Sequence, residues 1–139
     1  MRFELPEAKK LSFEMTIPIR WGDMDAMGHV NNTVYFRYFE IVRLDWLFRV
    51  RPAEDSQEQG PVIVNAYCSF LRQLEYPGEV LARHYVARPG RSSFETYVTL
   101  ERRDAPELRC AEGGAKVVWR DHRAQASIPL PQWLRPILA

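Results

Sequence analysis

The sequence predicts an α+β domain in which an antiparallel five-stranded sheet wraps around one long central helix. Three observations carry that expectation. A segment near the start alternates apolar and polar residues. A long run without Gly or Pro follows it, over residues 33–50. Four further strand-like segments come next, separated by turn signals.

In residues 13–21, Phe13, Met15, Ile17, Ile19 and Trp21 are apolar, while Ser12, Glu14, Thr16 and Arg20 are polar, so one face of this strand is buried. Pro18 has no N–H to give a ladder, which puts the strand at a sheet edge or at a bulge. Residues 22–30 read as a loop, and Asn31 as the N-cap of a helix over 33–50. Val34, Tyr35, Tyr38, Phe39, Ile41, Val42, Trp46 and Phe48 repeat at three and four, and leave a narrow polar side at Arg37, Glu40, Arg43 and Arg49. A helix this apolar over most of its circumference is wrapped by other structure. Residues 51–60 form a polar loop that ends in Gly60-Pro61.

Strands are then expected over 62–75, 79–88, 93–102 and 108–120. Their breaks are Tyr76-Pro77-Gly78, Pro89-Gly90 and Asp104-Ala105-Pro106. Turns this tight make successive strands antiparallel neighbours. Phe94, Thr96, Val98 and Leu100 share one face of their strand. Gly113-Gly114 marks a bulge or a close backbone approach. The tail over 127–139, with Pro129, Pro131 and Pro136, ends in a short helical turn. The edges of so small a sheet suit pairing with a second copy, so a homodimer or homotetramer is expected.

A chain of 139 residues makes one domain with a real core, here 1–139. Its net charge of +1 gives no reason to expect nucleic acid or an anionic membrane as partner. Lys9, Lys10 and Lys116 are the only lysines, so the positive charge is nearly all arginine. Cys68 and Cys110 lie in strand-like runs without a neighbouring Cys or His, and read as buried core residues of a protein from a reducing compartment. The first ten residues hold no apolar segment of a secretory signal, and no run is long enough to span a bilayer. A cytoplasmic location follows as the expectation. With no phosphate-binding loop, dinucleotide fingerprint or zinc spacing, no metal and no organic cofactor are expected.

The chemistry is concentrated between the first strand and the helix. Asp23-Met-Asp25-Ala-Met-Gly28-His29-Val-Asn31-Asn32-Thr-Val-Tyr35, followed by Tyr38 and Glu40, resembles the signature of the 4-hydroxybenzoyl-CoA thioesterase-like branch of the hotdog superfamily. The order of elements and the segment Arg88-Pro-Gly-Arg91-Ser92-Ser93 extend the resemblance over most of the chain. It implies a hotdog fold and hydrolysis of an acyl thioester of coenzyme A or of acyl carrier protein. Elementary chemistry points the same way. The carbonyl of a thioester becomes an oxyanion when attacked, and the first turn of a helix offers unpaired N–H groups at the positive end of its dipole.

By position, the resemblance assigns Asp25 as nucleophile or general base and the backbone N–H near Asn32 as the oxyanion donor. His29 would orient Asp25 or a water, or stand as a structural imidazole. Asp23 reads as a structural carboxylate bonded to loop amides, and Asn31 as the helix cap. Tyr35 would line the acyl pocket or belong to the core. Arg88, Arg91 and Ser92 would bind the nucleotide end of coenzyme A, at a subunit interface. Plant acyl-carrier-protein thioesterases carry an Asn two residues after the corresponding Asp, where this chain has Met27.

Overall fold

The computed structural model describes residues 3–139. The elements run β1 (Lys10–Pro18), α1 (Asn32–Val50), β2 (Gln59–Phe70), β3 (Glu79–Ala87), β4 (Ser93–Arg102), β5 (Arg109–Asp121), β6 (Ala126–Ser127) and α2 (Arg135–Leu138). All pairings are antiparallel, in the order β1-β3-β4-β5-β2, with the short β6 added to β5. The expected sheet around one main helix is observed, with β6 as a sixth strand. Pro18 sits on the edge strand β1, and the register shift in that strand lies at Leu11/Phe13. Residues 93–102 form β4, as the alternation indicates, and Phe94, Thr96, Val98 and Leu100 are all buried.

Three expectations are corrected. The first strand stops at Pro18, the alternation in burial at Ile19, and Trp21 belongs to a single 3-10 turn, where it is 74% exposed rather than buried. The second strand ends at Phe70, not at residue 75, and β2 is no neighbour of β3: the two lie far apart in the sheet. Residues 71–78 cross the end of the sheet instead. Leu71 and Arg72 N–H groups donate to the Cys110 carbonyl, and Leu74 is wholly buried against the start of α1. The core demand for Leu74 takes this segment out of the ladder. The helix, finally, is not covered all round. Tyr35, Tyr38, Phe39, Val42, Trp46 and Leu47 are buried, but Phe36, Leu44 and Phe48 form an exposed apolar row on its other side.

Two buried clusters hold the fold together. One joins Tyr35, Tyr38, Phe39 and Val42 of α1 to Ile17, Val80, Ala82, Val98, Leu100 and Ala111 of the sheet. The other joins Trp46, Leu47, Phe94, Val117 and Trp119 to Leu130, Leu134 and Leu138, so the proline-bearing tail is core material. Gly113 makes the close approach that its sequence position suggests. A Cβ there would collide with the Tyr67 carbonyl of β2 and the Phe39 ring of α1, and no register shift occurs at this point. Cys68 and Cys110 are both free thiols. Burial pushes the Cys68 thiol up to about 12, which suits a packing residue and not a nucleophile.

Candidate active site

The loop between β1 and α1 is built by its own polar side chains. Asp23 accepts the Arg20 N–H at 2.9 Å and the Tyr38 hydroxyl at 2.7 Å, and its backbone carbonyl accepts the Asn31 N–H at 2.9 Å. Burial, and then the bond to Asp23, pushes the Tyr38 hydroxyl pKa well above the usual phenol range. Asp23 is thus the structural carboxylate of the pair. Gly28 has φ 83, a left-handed value that suits glycine, and its N–H donates to the Asp25 carbonyl at 3.0 Å. The Asp25 N–H in turn donates to the His29 carbonyl at 3.0 Å. The loop therefore closes on itself around Asp25.

The Asp25 carboxylate is held from both sides. Oδ1 accepts the Met27 N–H at 2.9 Å, and Oδ2 accepts Nδ2 of Asn31 at 3.0 Å. Asn31 is also the helix cap: its Oδ1 accepts the Thr33 N–H at 2.9 Å and the Thr33 hydroxyl at 2.6 Å. One side chain thus ties the carboxylate to the first turn of α1. Sequence reasoning gave Asn31 the cap alone. The second role depends on a loop geometry that no spacing reveals. The next residue, Asn32, opens the helix, and its N–H makes no hydrogen bond among the described residues. It is a free donor at the positive end of the helix.

Asp25 and Asn32 face one cleft of about 460 Å³, lined also by Met27, His29, Val30, Tyr35, Phe70, Leu71, Arg72 and Gln73. The arrangement sets a carboxylate, a free N–H and an apolar wall around one small volume. That is what attack on a carbonyl requires. Tyr35 is buried, and its hydroxyl accepts the Leu74 N–H at 3.1 Å and donates to the Arg72 carbonyl at 3.4 Å. It both lines the cleft and fixes the segment that forms the cleft's far wall. The His29 imidazole also lines the cleft. Its nearest charged partner is Glu75, with Nε2 3.7 Å from the carboxylate, and it makes no side-chain bond to Asp25. Arg72, which sequence reasoning missed, places on the cleft wall a cation with no ion pair among the described residues. Its only cue was one arginine amid Phe70, Leu71 and Leu74.

Arg88, Arg91 and Ser92 are not brought to this cleft within one chain. Ile19, just before the loop, bonds to Gly78 at the start of β3, whereas these residues follow its end. Nine residues of strand separate the two places, about 30 Å. Arg88 pairs with Glu95 at 3.2 Å. The Arg91 carbonyl accepts the Leu130 N–H and Nη2 of Arg135, and the Ser92 carbonyl accepts the Trp119 N–H, so this turn also anchors the tail. Among the described residues no group of three His, Cys, Asp or Glu is placed to hold a metal ion, and no helix is long and apolar enough to cross a membrane.

Comparison with solved structures places this architecture. The PA2801 protein of Pseudomonas aeruginosa, named as a candidate thioesterase, is 35% identical, with a TM-score of 0.88 over 94% of this chain and 100% of that one. A candidate acyl-CoA thioesterase from Xanthomonas campestris is 31% identical, with a TM-score of 0.73 over 79% of this chain and 93% of that one. A DHNA-CoA thioesterase from Staphylococcus aureus, 16% identical, shares the fold with a TM-score of 0.76 over 92% of this chain and 85% of that one. Among curated proteins, the uncharacterized protein YsmA of Bacillus subtilis is 30% identical over 63 residues, 45% of this chain, and the match spans only 43% of that protein's length. The sheet around a central helix is the hotdog fold. Residues 19–138 match the thioesterase-like superfamily, and the chain belongs to that family.

Proposed function

We propose that this protein hydrolyses an acyl-CoA thioester to the free acid and coenzyme A, with Asp25 as nucleophile or general base and the Asn32 N–H polarising the carbonyl. The observation that carries this reading is the Asn31 side chain, which holds the Asp25 carboxylate beside the free Asn32 N–H at the start of α1. A thioester carbonyl whose oxygen accepts from Asn32 presents its carbon, or a water next to it, to Asp25. His29 acts as a positioning residue through the carbonyl that accepts the Asp25 N–H. Tyr35 and Phe70 give the acyl group an apolar wall. No metal or organic cofactor enters the scheme. The test is release of free thiol from a panel of acyl-CoAs and acyl-carrier-protein thioesters. Turnover of a CoA thioester supports the reading, turnover only of the carrier-protein form moves the thiol carrier, and turnover of neither leaves a binding protein.

The working unit in this reading is at least a homodimer joined across β2. That strand is a free sheet edge with Ile63, Val64 and Phe70 exposed, and α1 offers Phe36, Leu44 and Phe48 beside it. Sedimentation is expected to give twice or four times the chain mass, and Val64→Lys with Phe48→Glu to reduce it to one chain. A wild-type protein that sediments as one chain at micromolar concentration would remove this part.

A second copy is also the way for Arg88, Arg91 and Ser92 to meet the nucleotide end of coenzyme A, since their own chain keeps them far from Asp25. Arginine and hydroxyl groups at a turn fit phosphate oxygens. Arg88→Ala and Arg91→Ala are expected to raise KM for acyl-CoA by about tenfold, the size of one charge-assisted hydrogen bond. A pantetheine thioester with the same acyl group should be nearly unaffected. Equal effects on the two substrates would mean that these residues act on stability and not on the nucleotide.

A further inference from the structure

Three cavities lie in line along the seam between α1 and β2. The first is the Asp25 cleft, where Asn32 and Tyr35 face Phe70. The second, about 350 Å³, sets Thr33, Phe36, Phe39, Glu40 and Arg43 against Ala66 and Ile63. The third, about 100 Å³, sets Glu40, Arg43 and Leu47 against Ile63 and Pro61. As α1 runs forward, β2 runs back, so the three follow one another away from Asp25. The second and third share Glu40, Arg43 and Ile63.

Arg43 is the group in this row without a partner. It is half-buried, and it makes no ion pair and no side-chain hydrogen bond among the described residues. Burial lowers its pKa, and only the field of Glu40 works against that. Glu40 is itself held by Arg37, three residues before it. The three side chains together leave one positive charge at the cavity wall. Beneath lies His84, wholly buried, with Nε2 unpartnered and close enough for the Arg43 charge to act on it. A neutral imidazole there does nothing to balance the guanidinium. A half-buried cation whose one nearby carboxylate is already paired with Arg37 leaves a charge at the cavity wall that an anionic ligand would balance.

We propose that the α1–β2 seam receives the acyl group and that Arg43 pairs with a carboxylate at its far end, so that the preferred substrates are thioesters of dicarboxylic acids. This rests on the hydrolase reading above and adds the substrate class to it. Guanidinium and carboxylate match in geometry, two N–H donors to two oxygens. The reach is also suitable. From Asn32 to Arg43 the helix rises about 16 Å, and a helical side chain leans back toward the N-terminus, which shortens the gap. The remaining span, lined by Phe36, Phe39, Ile63 and Ala66, takes an acyl chain of intermediate length.

The experiment compares kcat/KM for suberoyl-CoA against octanoyl-CoA, and for sebacoyl-CoA against decanoyl-CoA, in wild type, Arg43→Gln and Arg43→Lys. Wild type is expected to favour the carboxyl-ended member of at least one pair by about 10–100-fold, the value of a hydrogen bond to a charged group. Arg43→Gln should lose that preference through a raised KM for the carboxyl-ended substrate while the methyl-ended one is unchanged, and Arg43→Lys should keep part of it. Equal hydrolysis of both members by wild type overturns the inference and leaves the hydrolase reading intact. An equal loss on both members in Arg43→Gln overturns it too, since a packing role would do that. Where Arg43→Gln does not fold, inhibition of wild type decides: suberate should compete more tightly than octanoate, and equal inhibition overturns the proposal. No hydrolysis of any of the four overturns this inference, and the wider panel of acyl-CoA and carrier-protein thioesters then decides the hydrolase reading.

Discussion

Asp25→Asn is expected to lower turnover by a factor on the order of 10²–10⁴, the range for a positioned acid–base or nucleophilic group. The replacement keeps the shape and removes the charge. It also puts a donor where an acceptor stood. Whichever way the new amide turns, its NH₂ faces either the Met27 N–H or Nδ2 of Asn31. Asn31 cannot turn to accept without giving up its bonds to Thr33, which cap the helix. The variant should therefore lose some stability as well, about 1 kcal/mol if the cap is weakened. That side effect can be separated from the chemistry. Asn31→Ala removes the cap and one of the two donors to Asp25 but leaves the carboxylate. It should match or exceed the loss of stability in Asp25→Asn and keep far more of the turnover. The two variants are compared by thiol release under saturating substrate and by urea unfolding. If Asp25→Asn hydrolyses at the wild-type rate, the catalytic assignment fails. If Asn31→Ala is as inactive as Asp25→Asn at equal stability, the carboxylate is needed for its position more than for its charge.

The scaffold of this site was legible because local rules govern it. Asn31 caps the helix because a short amide in front of an apolar periodic run does so in most contexts, and β4 begins and ends at the residues where its alternation does. Pro18 announced an edge or a bulge because a missing N–H excludes a regular central strand, and β1 is an edge. What could not be read depends on contacts between distant segments. The run from Val62 to Glu75 is long and mixed with no turn signal inside it, and it leaves the sheet at Phe70 as Leu74 takes a buried place by Tyr35. The far wall of the Asp25 cleft is made by that departure, so Phe70, Leu71, Arg72 and Gln73 were invisible as site residues. The tail showed three prolines and a terminal helical turn, but not that Leu130, Leu134 and Leu138 fill the core under Trp119. Arg88, Arg91 and Ser92 show the opposite limit: a motif can be recognised in a sequence without its place relative to Asp25 being known.

Acid is expected to destabilise the protein through His84 at pH values where most of its carboxylates are still charged. His84 is wholly buried, its ring tilted against Trp46 with centroids 4.8 Å apart, and its Nδ1 lies 2.7 Å from the Ser12 hydroxyl. Burial first, and then the Arg43 charge, holds its pKa down to about 3. In the unfolded chain a histidine titrates near 6.5. Between those values the unfolded state binds a proton that the native state refuses, so stability rises with pH, by up to ~1.4 kcal/mol per unit. The contribution is complete above about pH 6.5 and shrinks below it, by about 3 kcal/mol at pH 4.5. His84→Leu should remove this slope. It costs little at neutral pH, because the Ser12 hydroxyl still has the carbonyl of residue 84, at 3.0 Å, to donate to, and the unpartnered Nε2 is gone. Urea unfolding at pH 7 and pH 4.5 measures the difference, and equal pH dependence in the two proteins would refute it. The same experiment bears on Arg43. A His84 that stays neutral through this range adds no second positive charge beneath the Arg43 guanidinium.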